Sequence, residues 1–447
     1  MPQSDPSVNF CLKKLQMVLG PLSDQTLERF RMYATRIKVL DGGIMPKKFE
    51  IEPYTWTYLA ALSGGSLLPS LRRLRVCANE STEIEALFAL RSDSLTTLAL
   101  DIDEDYEKQK VSLLHVLCKS SSLYSARISG CLSKDLMTCL SGCHTLRQIE
   151  LRLIVKEGMP FGSELLMPVC DLLALEEIAI ADRCAYHSTK KELQAGKLLF
   201  KTLRKLSILA LPISILSILL SLRAPSLENL QITLMDRHGE GRVEVHHMLL
   251  VLSKIVLGLQ NFHFRVGWNT LNQRIALPKN FVRSLLSPNG PQEFQVSDFV
   301  VSFGDDDIQL LPRLEWLRVL RIRTNYFKNP LTLSSLRTLA EKCPSLQVVE
   351  FTFNICKKDI DALLDEVSRC PSTDHGLKKV IIGMAGLERM SDAYRLGVLV
   401  SQYLDHFFPS LVSVEAGICG DAEWCSGINA CLTAYRQVRA KLNNCRG

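Results

Sequence analysis

Residues 333–353 read LSSLRTLAEKCPSLQVVEFTF. Leu333, Leu336, Leu339, Ala340 and Cys343 recur every three or four positions, which places them on one face of a helix. Pro344 stops that helix, because it has no N–H to continue the ladder and biases Cys343 away from helical backbone angles. The period then changes. Leu346, Val349 and Phe351 follow as L-x-x-V-x-F, the last two at the spacing of a strand, where alternate side chains share a face. Neither piece buries its apolar face alone, so the unit needs copies of itself on both sides.

Relaxed copies of L-x-x-L-x-L begin at Leu71, Leu95, Leu123, Leu146, Leu175, Leu203, Leu227, Leu259, Leu317, Leu346, Leu377 and Leu411, with a weak copy at Phe294 and Val296. The first starts are separated by 24, 28, 23, 29, 28 and 24 residues, and the spacing lengthens to 34 at the end. That range overlaps the leucine-rich repeat period of about 20–29 residues. A doubly wound sheet also alternates strand and helix, but the recurrent motif and the lack of a phosphate-binding glycine loop weigh against it. The expected fold class is therefore α/β: a leucine-rich repeat solenoid with a curved parallel sheet on its concave side, helices on its convex side, and helical caps. Residues 1–42 read as an N-terminal helical cap, 43–425 as the irregular array and 426–447 as a C-terminal capping helix.

The N-terminal cap rests on two stripes: Val8, Cys11, Leu12, Leu15, Val18 and Leu19, then Leu27, Phe30, Ala34 and Ile37 behind an N-cap at Ser23. Ile37 to Val39 reads as the first strand. Within the array, helices are expected over Leu193–Phe200 and Ile213–Leu222 among others, and loops over Gly267–Pro278 and Gly304–Asp307. At the C-terminus Cys431, Leu432, Tyr435, Val438 and Leu442 share a helical face.

A chain of 447 residues exceeds one ordinary globular core, and an elongated array accounts for it. The formal charge of +6, from 53 basic and 47 acidic residues, is too small an excess for a dedicated nucleic-acid or anionic-membrane surface, so proteins are the expected partners and no nucleic acid or membrane is. Fifteen cysteines, several at helix-core positions such as Cys118, Cys343 and Cys370, read as small buried hydrophobes in a reducing cytoplasmic or nuclear compartment. The uncharged run Leu206–Leu222 is interrupted by Pro212 and reads in repeat register as strand, turn and helix rather than as a membrane span.

Chemistry is sparse. G-x-x-x-x-G-K-[ST], H-E-x-x-H and G-x-S-x-G are all missing. Cys139, Cys143 and His144 cluster without the two-residue spacing of a zinc site, and Asp305, Asp306 and Asp307 read as a solvated loop. No catalytic residue, cofactor or metal is expected, and the chain is expected to be a monomer. What remains is a surface: the strand positions between the buried ones point to the concave face, where repeat proteins bind. Arg73, Arg75, Arg127, Glu150, Arg152, His263, Arg265, Arg321, Arg323 and Glu350 occupy such positions and form the candidate protein-binding face. Arginine dominates there, and its planar donor fork is favoured at interface hot spots.

The segment CLKKLQMVLGPLSDQTLERFRMYATRIKVL carries Leu27, Arg29, Phe30, Tyr33, Ala34, Arg36 and Ile37 in a W/L-x-R-F-x-x-Y-A-x-R-[IV] pattern. With LLPSLRRLRV, SDSLTTLALDI and CPSLQVVEFTF, it resembles the fungal F-box/leucine-rich-repeat proteins over nearly the whole chain. The resemblance implies the substrate-recognition subunit of an SCF-type ubiquitin ligase, with the substrate held on the repeats. The Leu-Pro pair that opens an F-box in that family has no counterpart before Leu68-Pro69, which already lies in a repeat. A Skp-type adaptor is therefore expected as a partner only if an F-box is present upstream. The alternative is a stand-alone leucine-rich-repeat scaffold unrelated to ubiquitin.

Overall fold

The computed structural model describes residues 22–42, 53–78, 84, 87–102, 106–120, 122–130, 132–153, 163–182, 198–235, 242–266, 276–301, 303–323, 331–354, 365, 367, 375–385, 393–417 and 421–444. The chain forms two compact units, Met1–Arg204 with Ser221–Ser226, and Lys205–Leu220 with Leu227–Gly447. Among the described residues, fourteen principal strands, all parallel, follow one another in chain order. The first unit holds Val39–Gly42, Arg73–Ala78, Thr97–Ile102, Ser125–Gly130, Gln148–Leu153 and Glu177–Asp182. The second holds Lys205–Ala210, Asn229–Leu234, Asn261–Val266, Glu293–Ser297, Val319–Arg323, Val348–Asn354, Lys379–Ala385 and Ser413–Ala416.

Residues 333–353 fold as their pattern requires. The helix Leu333–Lys342 buries Leu333, Leu336, Leu339 and Ala340, ends with Cys343 as its cap before Pro344, and is followed by the strand Val348–Asn354, whose Val349, Phe351 and Phe353 are buried. A local device then repeats. The leading leucine closes a turn onto a carbonyl three residues back, as in Leu95 to Ser92, Leu146 to Cys143 and Leu346 to Cys343. Next, the carbonyl just before one strand accepts two N–H groups from the start of the following one: Arg72 O takes Thr96 and Thr97, Gln347 O takes Lys378 and Lys379. These bonds satisfy backbone groups that would otherwise be orphaned where each strand begins, and they fix the register.

Alternation along the strands divides the sheet into two faces. Gln148–Leu153 and Asn261–Val266 both bury every second residue and leave the others partly or fully exposed. Helices cover the buried face: Phe281, from the helix Lys279–Leu285, packs edge-on against Phe262 and Phe264 at 6.5 and 6.2 Å between ring centroids. The weak copy at Phe294 and Val296 is a full member of the ladder, paired on both sides, with Phe294 stacked on Phe262 at 6.2 Å. Aromatic bulk there replaces the missing leucine.

Several expectations need correction. Leu198–Leu199 is a short strand paired with Leu222–Arg223, not the end of a helix; Leu198 and Phe200 are buried on alternate positions, a strand period too short to read from sequence. Residues 193–197 lie outside the described residues, as do Val8 to Leu19 and residues 267–275. Ala276–Leu277, expected as loop, pairs with Val300–Val301. The first strand runs from Val39 to Gly42, two residues later than expected. The helix Asp24–Ala34 has the expected cap, Ser23 Oγ accepting from Thr26 N–H at 3.3 Å, but it ends before Ile37, which is exposed, while Leu27 and Phe30 are half-buried. The run Leu206–Leu222 is the strand Lys205–Ala210 and a helix that begins at Pro212, where proline's missing N–H costs nothing. No helix among the described residues is long and apolar enough to cross a membrane.

At the C-terminus the helix Ala422–Asn444 packs on Ala393–Phe407 through Trp424, Cys425, Ile428 and Leu432, whereas Val438 is exposed. Asn429 closes the edge of the last strand: its Oδ1 accepts from Val414 N–H at 2.8 Å and its Nδ2 donates to Val414 O at 2.7 Å. One carboxamide thus stands in for a further strand, which blunts an edge that would invite another chain.

Candidate functional site

The candidate face is the side of the sheet opposite the helices. In the first unit Asp41, Arg75, Ala99, Arg127, Glu150 and Ala179 lie side by side in one register row, and Arg152 occupies the next outward position on the strand of Glu150. Arg127 Nε donates to Glu150 Oε2 at 2.5 Å and Arg152 Nε to Glu150 Oε1 at 2.7 Å. Both carboxylate oxygens are satisfied, and the Glu150 side chain keeps 30% of its exposure. Arg75 pairs with Asp41 at 3.7 Å in a solvated position, and Arg73 is exposed in the adjacent row.

In the second unit the corresponding row is Ser207, Gln231, His263, Gln295, Arg321, Glu350, Ile381 and Glu415, with Arg265 and Arg323 two residues further along their strands. Arg323 Nε donates to Glu350 Oε1 at 2.6 Å. Arg321 Nε stands 3.9 Å from Glu350 Oε2, and both atoms are buried without a hydrogen-bond partner. Glu350, expected on the exposed face, is therefore a buried carboxylate at 4% side-chain exposure. The cause is its next neighbour in the row, Ile381, which is itself buried and removes water from the carboxylate. Arg323 is tied to Glu350 rather than free, while Arg321 is only 28% exposed.

Sequence reading missed Asp298, which holds the remaining arginine. It follows the weak copy directly, adopts φ of 70° and places Oδ2 at 3.5 Å from Arg265 Nε. Aspartate tolerates the left-handed region better than most residues. Burial pushes its carboxyl up from the ordinary range, against the opposing pull of Arg265 and Arg323. His263 is half-buried, and burial moves its imidazole down; Glu293 opposes this and Arg321 reinforces it, so the ring is neutral at pH 7. Another polar pair on this face, Asn229 with Asn261, is joined amide to amide on adjacent strands.

The acidic run is structural, and it is not a loop. Asp305 to Asp307 begin the helix Asp305–Gln309, where Asp305 accepts from Thr332 N–H at 3.0 Å, Thr332 Oγ1 at 2.8 Å and Ser335 Oγ. Asp307 is buried, which raises its carboxyl, but hydrogen bonds from Lys279, Gly304 N–H and Arg283 outweigh burial and hold it below the usual range. Among the described residues no group of three or more His, Cys, Asp or Glu is placed to hold a metal ion. Cys118 and Cys143 are buried free thiols in contact, Cys139 is half-buried, and His144 is exposed. No family model matches the chain, and no curated protein matches its sequence.

Proposed function

We propose that this chain is a non-catalytic protein-interaction module whose open sheet face is the contact surface. The observation that carries this reading is the orientation of charge in the second unit: the Glu350 carboxylate is turned inward while Arg265, Arg321 and Arg323 keep 48%, 28% and 36% of their side chains in solvent. Arginine in partly desolvated surroundings on an otherwise solvated face is a characteristic contact residue of protein interfaces. A photo-crosslinking residue at Gln295 tests it, with Lys254 on the helix Arg242–Ile255 as the control. The reading requires discrete protein adducts from Gln295 and none from Lys254; the reverse pattern overturns it.

The resemblance to F-box/leucine-rich-repeat proteins supports a more specific role, the substrate-recognition part of an SCF-type ubiquitin ligase acting in the cytoplasm or nucleus. Adaptor docking would then need an F-box ahead of the repeats. Gel filtration with a Skp-type adaptor separates this from a stand-alone leucine-rich-repeat scaffold. Co-elution favours the ligase subunit; separate elution, with and without an added F-box, favours the scaffold.

A further inference from the structure

Arg321 is an unspent donor. Its side chain is 28% exposed and its Nε is buried, yet no hydrogen bond within the described residues reaches it, and the carboxylate 3.9 Å away is already held by Arg323. We propose that Arg321, with Arg323 beside it, receives a carboxylate from an acidic, extended segment of a partner protein. The inference rests on the reading of the open face as a binding surface and names the chemistry that face selects.

Three observations fix the occupant. The Glu350 side chain is buried at 4% exposure whereas those of Arg321 and Arg323 keep 28% and 36%, so an approaching partner meets the arginines before the carboxylate. Arg323 commits Nε to Glu350, which holds the guanidinium plane while its terminal nitrogens stay available; a fixed planar fork matches a carboxylate in two-point contact. Arg321 and Arg323 also lie two residues apart on one strand, about 6.8 Å along it, the same spacing as alternate side chains of an extended peptide. In the first unit Arg127 and Arg152 are both bonded to the half-buried Glu150 carboxylate, so an incoming one would have to displace it.

The test is fluorescence anisotropy of the full chain with a labelled octapeptide alternating glutamate and threonine, its lysine–threonine counterpart, and polyuridylate. The glutamate peptide should bind and the lysine peptide should not. Arg321→Gln should weaken binding about tenfold or more, as for a hot-spot arginine, and Arg321→Lys by less, because the charge survives but the fork does not. Arg127→Gln should change it by less than about twofold. Melting temperatures of all variants confirm folding. Equal affinity in Arg321→Gln, or polyuridylate bound as tightly as the glutamate peptide and displaced by it, overturns the proposal. If the glutamate peptide fails to bind while the residue at Gln295 still crosslinks to a defined protein, the carboxylate assignment falls and the binding-face reading stands.

Discussion

Glu150 in the first unit and Glu350 in the second occupy the same place in the repeat. Each is the third residue of its strand and each has an arginine beside it on the preceding strand, but the second arginine, Arg152, is on Glu150's own strand, whereas Arg323 is on the strand preceding Glu350. Their physical states differ. Glu150 is a solvated ion triad with both oxygens bonded; Glu350 is buried, with one oxygen bonded and one not. The next residue in the row also differs. Ala179 leaves Glu150 open to water, whereas Ile381 covers Glu350. A glutamate at the same strand position is therefore solvated in one unit and desolvated in the other, and both the cross-strand neighbour and the strand of the second arginine differ between them.

The largest expected difference is in stability. Removing a partner from a buried ion pair strands the remaining charges, so Glu350→Ala should cost about 3 kcal/mol, the low end for a buried pair because both arginines keep some solvent. Glu150→Ala should cost about 1 kcal/mol or less, as solvated pairs do. Urea unfolding of the two variants measures both. Equal losses would mean that Ile381 does not control the second node.

A double-mutant cycle sharpens the point. Ile381→Ala should admit water to Glu350 and make it resemble Glu150, so Glu350→Ala on that background should cost about 1–2 kcal/mol less than on the wild type. Additive losses would show that the arginines alone, and not the isoleucine, set the carboxylate's environment.

Most of the scaffold was legible because it repeats. A leucine at each strand start and an alternating pair behind it place the strands, and even the weak copy at Phe294 emerges once its neighbours are counted. The errors fall where a local rule depends on a distant partner. Asp305 to Asp307 look like a polar loop until Lys279, Arg283, Thr332 and Ser335 are brought against them. Leu198 and Phe200 look helical until Arg223 supplies a carbonyl. The candidate face was legible as a set of positions. Its electrostatics were not, because the burial of Glu350 is a property of Ile381 on the next strand, and Asp298 lies just past a repeat too weak to set its own register.

The second unit also carries its own pH marker. His375 is buried; its Nδ1 accepts from Leu377 N–H at 3.1 Å, so the proton sits on Nε2, which donates to Cys343 O at 3.0 Å. Burial moves the imidazole down, although the bond to Cys343 opposes this, and a proton added at Nδ1 would face the Leu377 N–H. With the folded value below the unfolded one of about 6.5, the stabilisation is complete above that pH and is lost as pH falls toward the folded value. Thermal melts at pH 7 and pH 5 should show a drop that His375→Gln reduces. An equal drop in both proteins would place the acid sensitivity elsewhere.

The smallest expected effect on stability is at Arg321, and it separates the two arginines of the second node. Sequence alone treats Arg321 and Arg323 as equals on an exposed strand face. The structure divides them: Arg323 holds Glu350 at 2.6 Å, whereas Arg321 stops at 3.9 Å with its Nε unbonded. Arg323→Gln should therefore destabilise the chain, because it removes the hydrogen bond that supports a buried carboxylate. Arg321→Gln removes no hydrogen bond, and the side chain is not wholly buried, so its effect should stay within about 0.5 kcal/mol. A glutamine amide at 321 that closes the gap donates to Glu350 Oε2, which sets the sign of any small change toward stabilisation. Paired urea titrations of the two variants read the difference directly. If Arg321→Gln is as damaging as Arg323→Gln, the 3.9 Å separation is a closed ion pair in solution, and the second node is then a buried version of the first rather than one with a donor in reserve.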